Sequence, residues 1–123
     1  MCGINGIVSK IKKKEELIHK MNDRILHRGP NAEGVYVDEK LALGQRRLSI
    51  IDLAGGNQPI YNEDKSILVM YNGEIYNYQE LKKELKNHKF KTNSDTEVLV
   101  HGYEEWGYDL LKKLRGMFAF CIY

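Results

Sequence analysis

The chain opens Met1-Cys2-Gly3-Ile4-Asn5-Gly6-Ile7-Val8, and the reading of everything after it starts from this stretch. Ile4 to Val8 predicts a first strand, short and rich in β-branched residues. Position two, immediately ahead of that strand, is a cysteine. Cytosolic processing removes an initiator Met when the next residue is small, which would leave Cys2 with a thiol and a free α-amine on one residue. An α-amine has a reference pKa of about 7.7–8.0 and a thiol about 8.5. A base then stands beside a nucleophile that needs deprotonating. The same residues lack the positive start and apolar core of a signal peptide, so a cytoplasmic location is expected.

Outward from this strand, Leu17, Ile18, Met21 and Ile25 recur at the spacing of an amphipathic helix over about 14–26. His27-Arg28-Gly29-Pro30 ends it, with Gly29 the candidate C-cap and Pro30 beyond. Lys10, Lys12, Lys13 and Lys14 read as a solvated turn ahead of it. Strands over 34–37 and 41–43 are expected to form a hairpin through Asp38-Glu39-Lys40. A strand over 67–71 should pair with 59–61 through the turn at 62–65. Asn77-x-x-Glu80 and Ser94-x-x-Glu97 are capping boxes, each predicting a helix start. A short helix over about 108–114 leads into Met117-Phe118-Ala119-Phe120-Cys121-Ile122-Tyr123. That continuous apolar run is the pattern of a strand buried on both faces. A domain rarely stops inside such a strand, so the chain reads as a piece of something larger. Strands and helices come in blocks without a βαβ rhythm, which makes the class α+β.

Composition narrows the function. The 123 residues have the size of one modest domain, and residues 1–123 read as the N-terminal part of a larger one. The 19 basic and 17 acidic residues leave a net charge of +2, which gives no prior for nucleic acid or an anionic membrane. No apolar run approaches the roughly 20 residues of a membrane span. Gly55-Gly56 lacks the spacing of a dinucleotide fingerprint. Cys2 and Cys121 cannot build a disulfide framework. The histidines, His19, His27, His88 and His101, are scattered and read as surface or helix-end residues. No metal is expected.

Two further groupings could carry chemistry. By spacing alone, Asn72-Gly73 is a tight hairpin turn. The alternative is an oxyanion hole, in which the Asn72 amide and the Gly73 N–H face the oxygen of a tetrahedral intermediate and the glycine permits close approach. Arg47 and Asp95 read singly as a surface charge and as a helix N-terminal acid. As a pair they suit the α-carboxylate and α-ammonium of an amino-acid ligand.

A nucleophile with a built-in base, an oxyanion hole and an amino-acid clamp are the parts needed to hydrolyse a glutamine side-chain amide. Met1-Cys2-Gly3-Ile4-x-Gly6, His27-Arg28-Gly29-Pro30, Arg47-Leu48-Ser49-Ile50-Ile51-Asp52, Tyr71-Asn72-Gly73-Glu74-Ile75-Tyr76-Asn77 and Ser94-Asp95-Thr96-Glu97 follow in one order. Over its whole length the chain resembles the glutaminase domain of class II glutamine amidotransferases, in the asparagine synthetase branch. Gly116 to Phe120 matches a core strand of that family.

The resemblance implies an N-terminal-nucleophile hydrolase fold, an αββα sandwich, truncated here. It implies that Cys2 attacks the carboxamide of L-glutamine, that Asn72 and Gly73 stabilise the oxyanion, and that Arg47 and Asp95 hold the two charged ends. Glu74 becomes a further contact to the amino-acid end, and the backbone of Leu48, Ser49, Ile50 and Ile51 lines the pocket. It also implies a homodimer, and a missing C-terminal synthetase domain binding ATP, Mg²⁺ and aspartate. No cofactor is expected in the chain itself. Asn31 stands where many relatives have Asp, and Gln45 near a position where many have His; neither is assigned chemistry. The alternatives are a non-catalytic amino-acid-binding or self-association module, or the glutaminase domain of another class II amidotransferase.

Overall fold

A computed structural model describes residues 2–49 and 55–123. Strands β1 (Gly3–Val8), β2 (Ala32–Val37) and β3 (Leu41–Arg47) form one antiparallel sheet in the order β1-β3-β2. Strands β4 (Ile60–Tyr61), β5 (Leu68–Ile75) and β6 (Gly116–Ile122) form a second, in the order β4-β5-β6.

Helix α1 (Lys14–Arg24) covers the outer face of the first sheet, with Ile18 and Asn22 fully buried against it. Gly44 in β3 makes room for this contact, since a Cβ there would lie 2.5 Å from the Asn22 side chain. Helices α2 (Tyr78–Glu84), α3 (Glu97–Trp106) and α4 (Leu110–Lys113), the last entered through a single 3-10 turn, cover the second sheet. The layers therefore run helix, sheet, sheet, helix, as the resemblance implies.

Strand alternation sorts the core. Leu41 and Leu43 of β3 meet Leu68 and Met70 of β5 between the sheets. Val69, Tyr71 and Ile75 turn the other way, onto Leu81, Leu85, Val98 and Leu99 of the helical layer. Among the described residues no helix is long and apolar enough to cross a membrane.

Several local expectations are corrected. Asn72-Gly73 is not a hairpin turn. It lies inside β5, opposite Ala119 and Phe118 of β6, because pairing with a distant strand outweighs the local turn preference. Gly29 is not the C-cap of α1, which ends at Arg24 with Ile25 as its C-cap. A side chain at 29 would strike the Arg46 backbone at 2.4 Å, so close chain approach accounts for the glycine. Both capping boxes precede helices, but neither helix start carries a side-chain cap hydrogen bond. The Asn77 carboxamide instead bonds the Lys113 carbonyl and the Arg115 N–H, fastening α4 to the start of β6. β6 is an edge strand with Gly116, Met117 and Ala119 exposed, rather than a strand buried on both faces. His101 is buried in α3 and His88 largely so, with side chains 1% and 13% exposed. Neither is a surface residue.

Candidate active site

Alternation along three strands brings the sequence-predicted residues to one end of the sandwich. Cys2 keeps the parity of Ile4, Arg47 that of Leu41 and Leu43, and Asn72 and Glu74 that of Leu68 and Met70, so all four turn toward the space between the sheets. The pairing of Gly3 with Arg46 sets Cys2 beside the end of β3. A pocket at this junction is lined by Cys2, Arg47 and Leu48 from the first sheet, by Tyr71, Asn72, Gly73 and Glu74 from β5, and by Ser94, Asp95 and Thr96 before α3. Gly56 and Gln58 complete it.

The Leu48 N–H donates to Cys2 Sγ at 3.2 Å, and the Leu48 carbonyl lies 3.6 Å from the same sulfur. Arg28 Nε donates to the Cys2 carbonyl at 2.9 Å. The thiol and its own carbonyl are thus positioned by Leu48 and Arg28.

The β5 edge facing away from β6 turns its own set of N–H groups to the pocket side. The N–H groups of Leu68 and Tyr76 point to the β6 side, onto the carbonyls of Tyr123 and Arg115. Odd-numbered N–H groups therefore point to the opposite edge. There the Tyr71 N–H donates to Gln58 Oε1 at 2.6 Å and the Ile75 N–H to Asp95 Oδ2 at 2.9 Å. The Gly73 N–H, between them, has no acceptor among the described residues. Asn72 Oδ1 is likewise buried without a partner, so that carboxamide oxygen is not committed to a neighbour. Glycine at 73 answers to packing: a Cβ would lie 2.3 Å from the Met117 carbonyl oxygen.

Opposite charges flank these donors. Arg47 is buried and donates from Nη1 to Asn57 Oδ1 at 2.9 Å. Asp95, also buried, takes the Tyr71 hydroxyl at 2.7 Å and the Ile75 N–H on the same oxygen, Oδ2. Both of these hydrogen bonds leave Oδ1 unused. Burial raises the Glu74 carboxyl above its ordinary range, and the Asp95 charge adds to it. Two crowded carboxylates favour a cationic group between them. Asp95 is therefore not the helix-capping acid of its local reading, and Arg47 is not a surface charge.

The comparisons with known proteins bear on this arrangement. A family model described as glutamine amidotransferase domain matches residues 1–123. The chain belongs to the glutamine amidotransferase domain family. It is 48% identical over its full length to glutamine-hydrolyzing asparagine synthetase 2 of Bacillus subtilis, covering 17% of that protein. It is 46% identical over 99% of its length to glutamine-hydrolyzing asparagine synthetase 1 of Arabidopsis thaliana, covering 21% of it. This amidotransferase domain thus spans about a fifth of the length of the curated relatives it matches. A solved structure of glutamine phosphoribosylpyrophosphate amidotransferase from B. subtilis, complexed with ADP and GMP, superposes with a TM-score of 0.56 at 29% identity. The match covers 71% of this chain and 22% of that one. The layered α+β architecture is that of the N-terminal-nucleophile hydrolases.

Within the domain, Cys2, Arg47, Leu48, Asn72, Gly73, Glu74 and Asp95 meet at the pocket, whereas Ser49 is not in its lining. The Ser49 N–H is taken by Asn31 Oδ1 at 3.0 Å. Asn31, assigned nothing from sequence, therefore orients the segment after Arg47, and its own N–H bonds the Arg47 carbonyl. Ile50 and Ile51 lie outside the described residues. Gln58 and Tyr71 also escape a reading from sequence. The Gln58 carboxamide pairs with both the N–H and the carbonyl of Tyr71, a long-range contact with no local signature.

Proposed function

We propose that the chain hydrolyses L-glutamine to glutamate and ammonia, with Cys2 as nucleophile. The observation that carries this reading is the junction of the Cys2 thiol with the uncommitted Gly73 N–H between a buried cation and a buried anion. The Cys2 sulfur attacks the carboxamide carbon while its proton passes to the chain-terminal amine, through a water. Gly73 N–H and the Asn72 amide hold the oxyanion. Collapse breaks the C–N bond, the amine returns a proton to the leaving nitrogen, and ammonia departs. Water then cleaves the γ-glutamyl thioester, restoring the thiol. Arg47 holds the α-carboxylate, and Asp95 with Glu74 holds the α-ammonium. A simple amide offers neither an α-carboxylate to Arg47 nor an α-ammonium to Asp95 and Glu74, so the clamp selects an amino acid.

The similarity to asparagine synthetases supports a wider role: in the whole protein the ammonia serves ATP- and Mg²⁺-dependent amidation of aspartate by a further domain. This pocket does not fit ATP, because Asp95 and Glu74 repel phosphate. No step of this chain's chemistry runs through the nucleotide. A cytoplasmic location and a homodimer belong to the same reading, on the family resemblance.

The test is glutamate release from L-glutamine by the full-length protein, paired with intact mass. Protein lacking Met1 should be active and its Cys2→Ala variant inactive. Protein retaining Met1 should be inactive, its Cys2 nitrogen being an amide. Activity in either of the last two overturns the mechanism.

A further inference from the structure

Away from the pocket, four side chains distant in sequence converge: Glu63 from the turn after β4, His88 from the loop after α2, and His101 and Glu104 from α3. His101 Nδ1 lies 3.3 Å from Glu63 Oε2 and 3.4 Å from Glu104 Oε2. His88 Nδ1 lies 3.4 Å from Glu63 Oε1 and 3.5 Å from the same Glu104 Oε2. A tetrahedral ion with bonds of about 2.0–2.1 Å sets its ligand atoms about 3.3–3.4 Å apart.

The outward nitrogens give a second, independent indication. His101 Nε2 faces Glu97 Oε1 and His88 Nε2 faces Glu105 Oε2, each at 3.4 Å. Glu97 is itself buried and takes the N–H groups of Lys91 and Thr92 and the Thr92 hydroxyl. With Nε2 protonated toward an outer carboxylate, each ring turns its Nδ1 lone pair inward. This is the arrangement by which a carboxylate orients a metal-bound imidazole. The inner carboxylates are held as well: Lys89 N–H donates to Glu63 Oε1 and Asn62 Nδ2 to Glu104 Oε1, both at 2.9 Å. One ligand atom from each of the four residues then lies within 4.8 Å of the other three. The His101 ring is further fixed by Phe90, edge-on at 4.7 Å.

We propose that Glu63, His88, His101 and Glu104 form a binding site for a single divalent borderline metal ion, with Zn²⁺ the best fit. Two neutral imidazoles and two carboxylates neutralise a dipositive charge, and an N₂O₂ set of these residue types suits tetrahedral zinc. The role is structural. The ion ties α3, the helix that follows Asp95, to the turn after β4 and to the loop after α2.

Full-length protein stripped by a chelator is titrated with ZnCl₂ alone by calorimetry near neutral pH, and separately with Co²⁺ for its visible spectrum. One equivalent of Zn²⁺ should bind per chain. His88→Gln and Glu104→Gln should each weaken binding at least about tenfold. The unmodified protein with Co²⁺ should show the intense bands of a tetrahedral site, a readout that does not depend on the variants folding. No stoichiometric binding, binding unchanged in both variants, or an octahedral Co²⁺ spectrum would each overturn the proposal.

Discussion

The Tyr71 hydroxyl donates to Asp95 Oδ2 at 2.7 Å, tying the strand that carries Asn72 and Gly73 to the segment that opens α3. Burial and the adjacent carboxylate push the Tyr71 phenol far above its ordinary range, so it stays protonated and remains a donor. Tyr71→Phe should therefore lower the unfolding free energy by about 1.5–3 kcal/mol, the range for hydrogen bonds to charged groups. It should raise the KM for glutamine more than it lowers kcat, because Asp95 would swing in its site. Urea unfolding and steady-state kinetics check both.

Asn72 separates catalysis from stability. Its buried Oδ1 has no partner in the chain, so truncation removes an unpaired polar atom rather than a formed bond. Asn72→Ala is expected to leave the melting temperature unchanged or slightly higher. Loss of one oxyanion donor should cut kcat about 10²–10³-fold with little change in KM.

Gly73 should respond in the opposite sense. A Cβ at this position would sit 2.3 Å from the Met117 carbonyl oxygen. Gly73→Ala therefore forces β6 outward and should cost about 1–3 kcal/mol, typical of overpacking. Denaturant unfolding of the variant, alongside its kcat, measures the displacement of a strand and of a donor together.

Glu74 supplies a pH dependence. Burial, then the Asp95 charge, raises its carboxyl, so the folded chain holds that proton longer than the unfolded one. Its ionisation therefore weakens the fold as pH climbs past the unfolded value of about 4.3. Glu74→Gln should match the parent below that value and melt at a higher temperature near neutral pH. Added L-glutamine, bringing an ammonium between the carboxylates, should narrow the gap. Thermal melts across this range, with and without ligand, provide the measurement.

Local pattern carries the fold a long way. The α1 stripe and the hairpin through Asp38 are set by neighbours a few residues apart. Where reading fails, the deciding partner is remote. Asn72-Gly73 has the composition of a turn, but β6, more than forty residues on, holds it extended. His88 and His101 look scattered because Glu63 and Glu104 reach them only once β4, α2 and α3 have packed. In the pocket, the residue types with distinctive chemistry are recognisable, and Cys2, Arg47 and Asp95 do meet there. Their supports, Gln58, Tyr71 and Asn31, are not, since a tyrosine or carboxamide has many structural uses and only its neighbours reveal which.

The two-residue length of β4 has a consequence of its own. In its register with β5, residue 58 falls opposite Tyr71, and there the Gln58 side chain imitates a peptide group by engaging both main-chain atoms of Tyr71. One more conventional pair would carry the ladder over Gly73 and silence its amide. The proposed oxyanion site begins where the sheet is stopped short, and of all replacements only proline, which carries no N–H, would delete its main-chain donor. Lengthening that neighbouring strand would switch the centre off without touching a single reactive group.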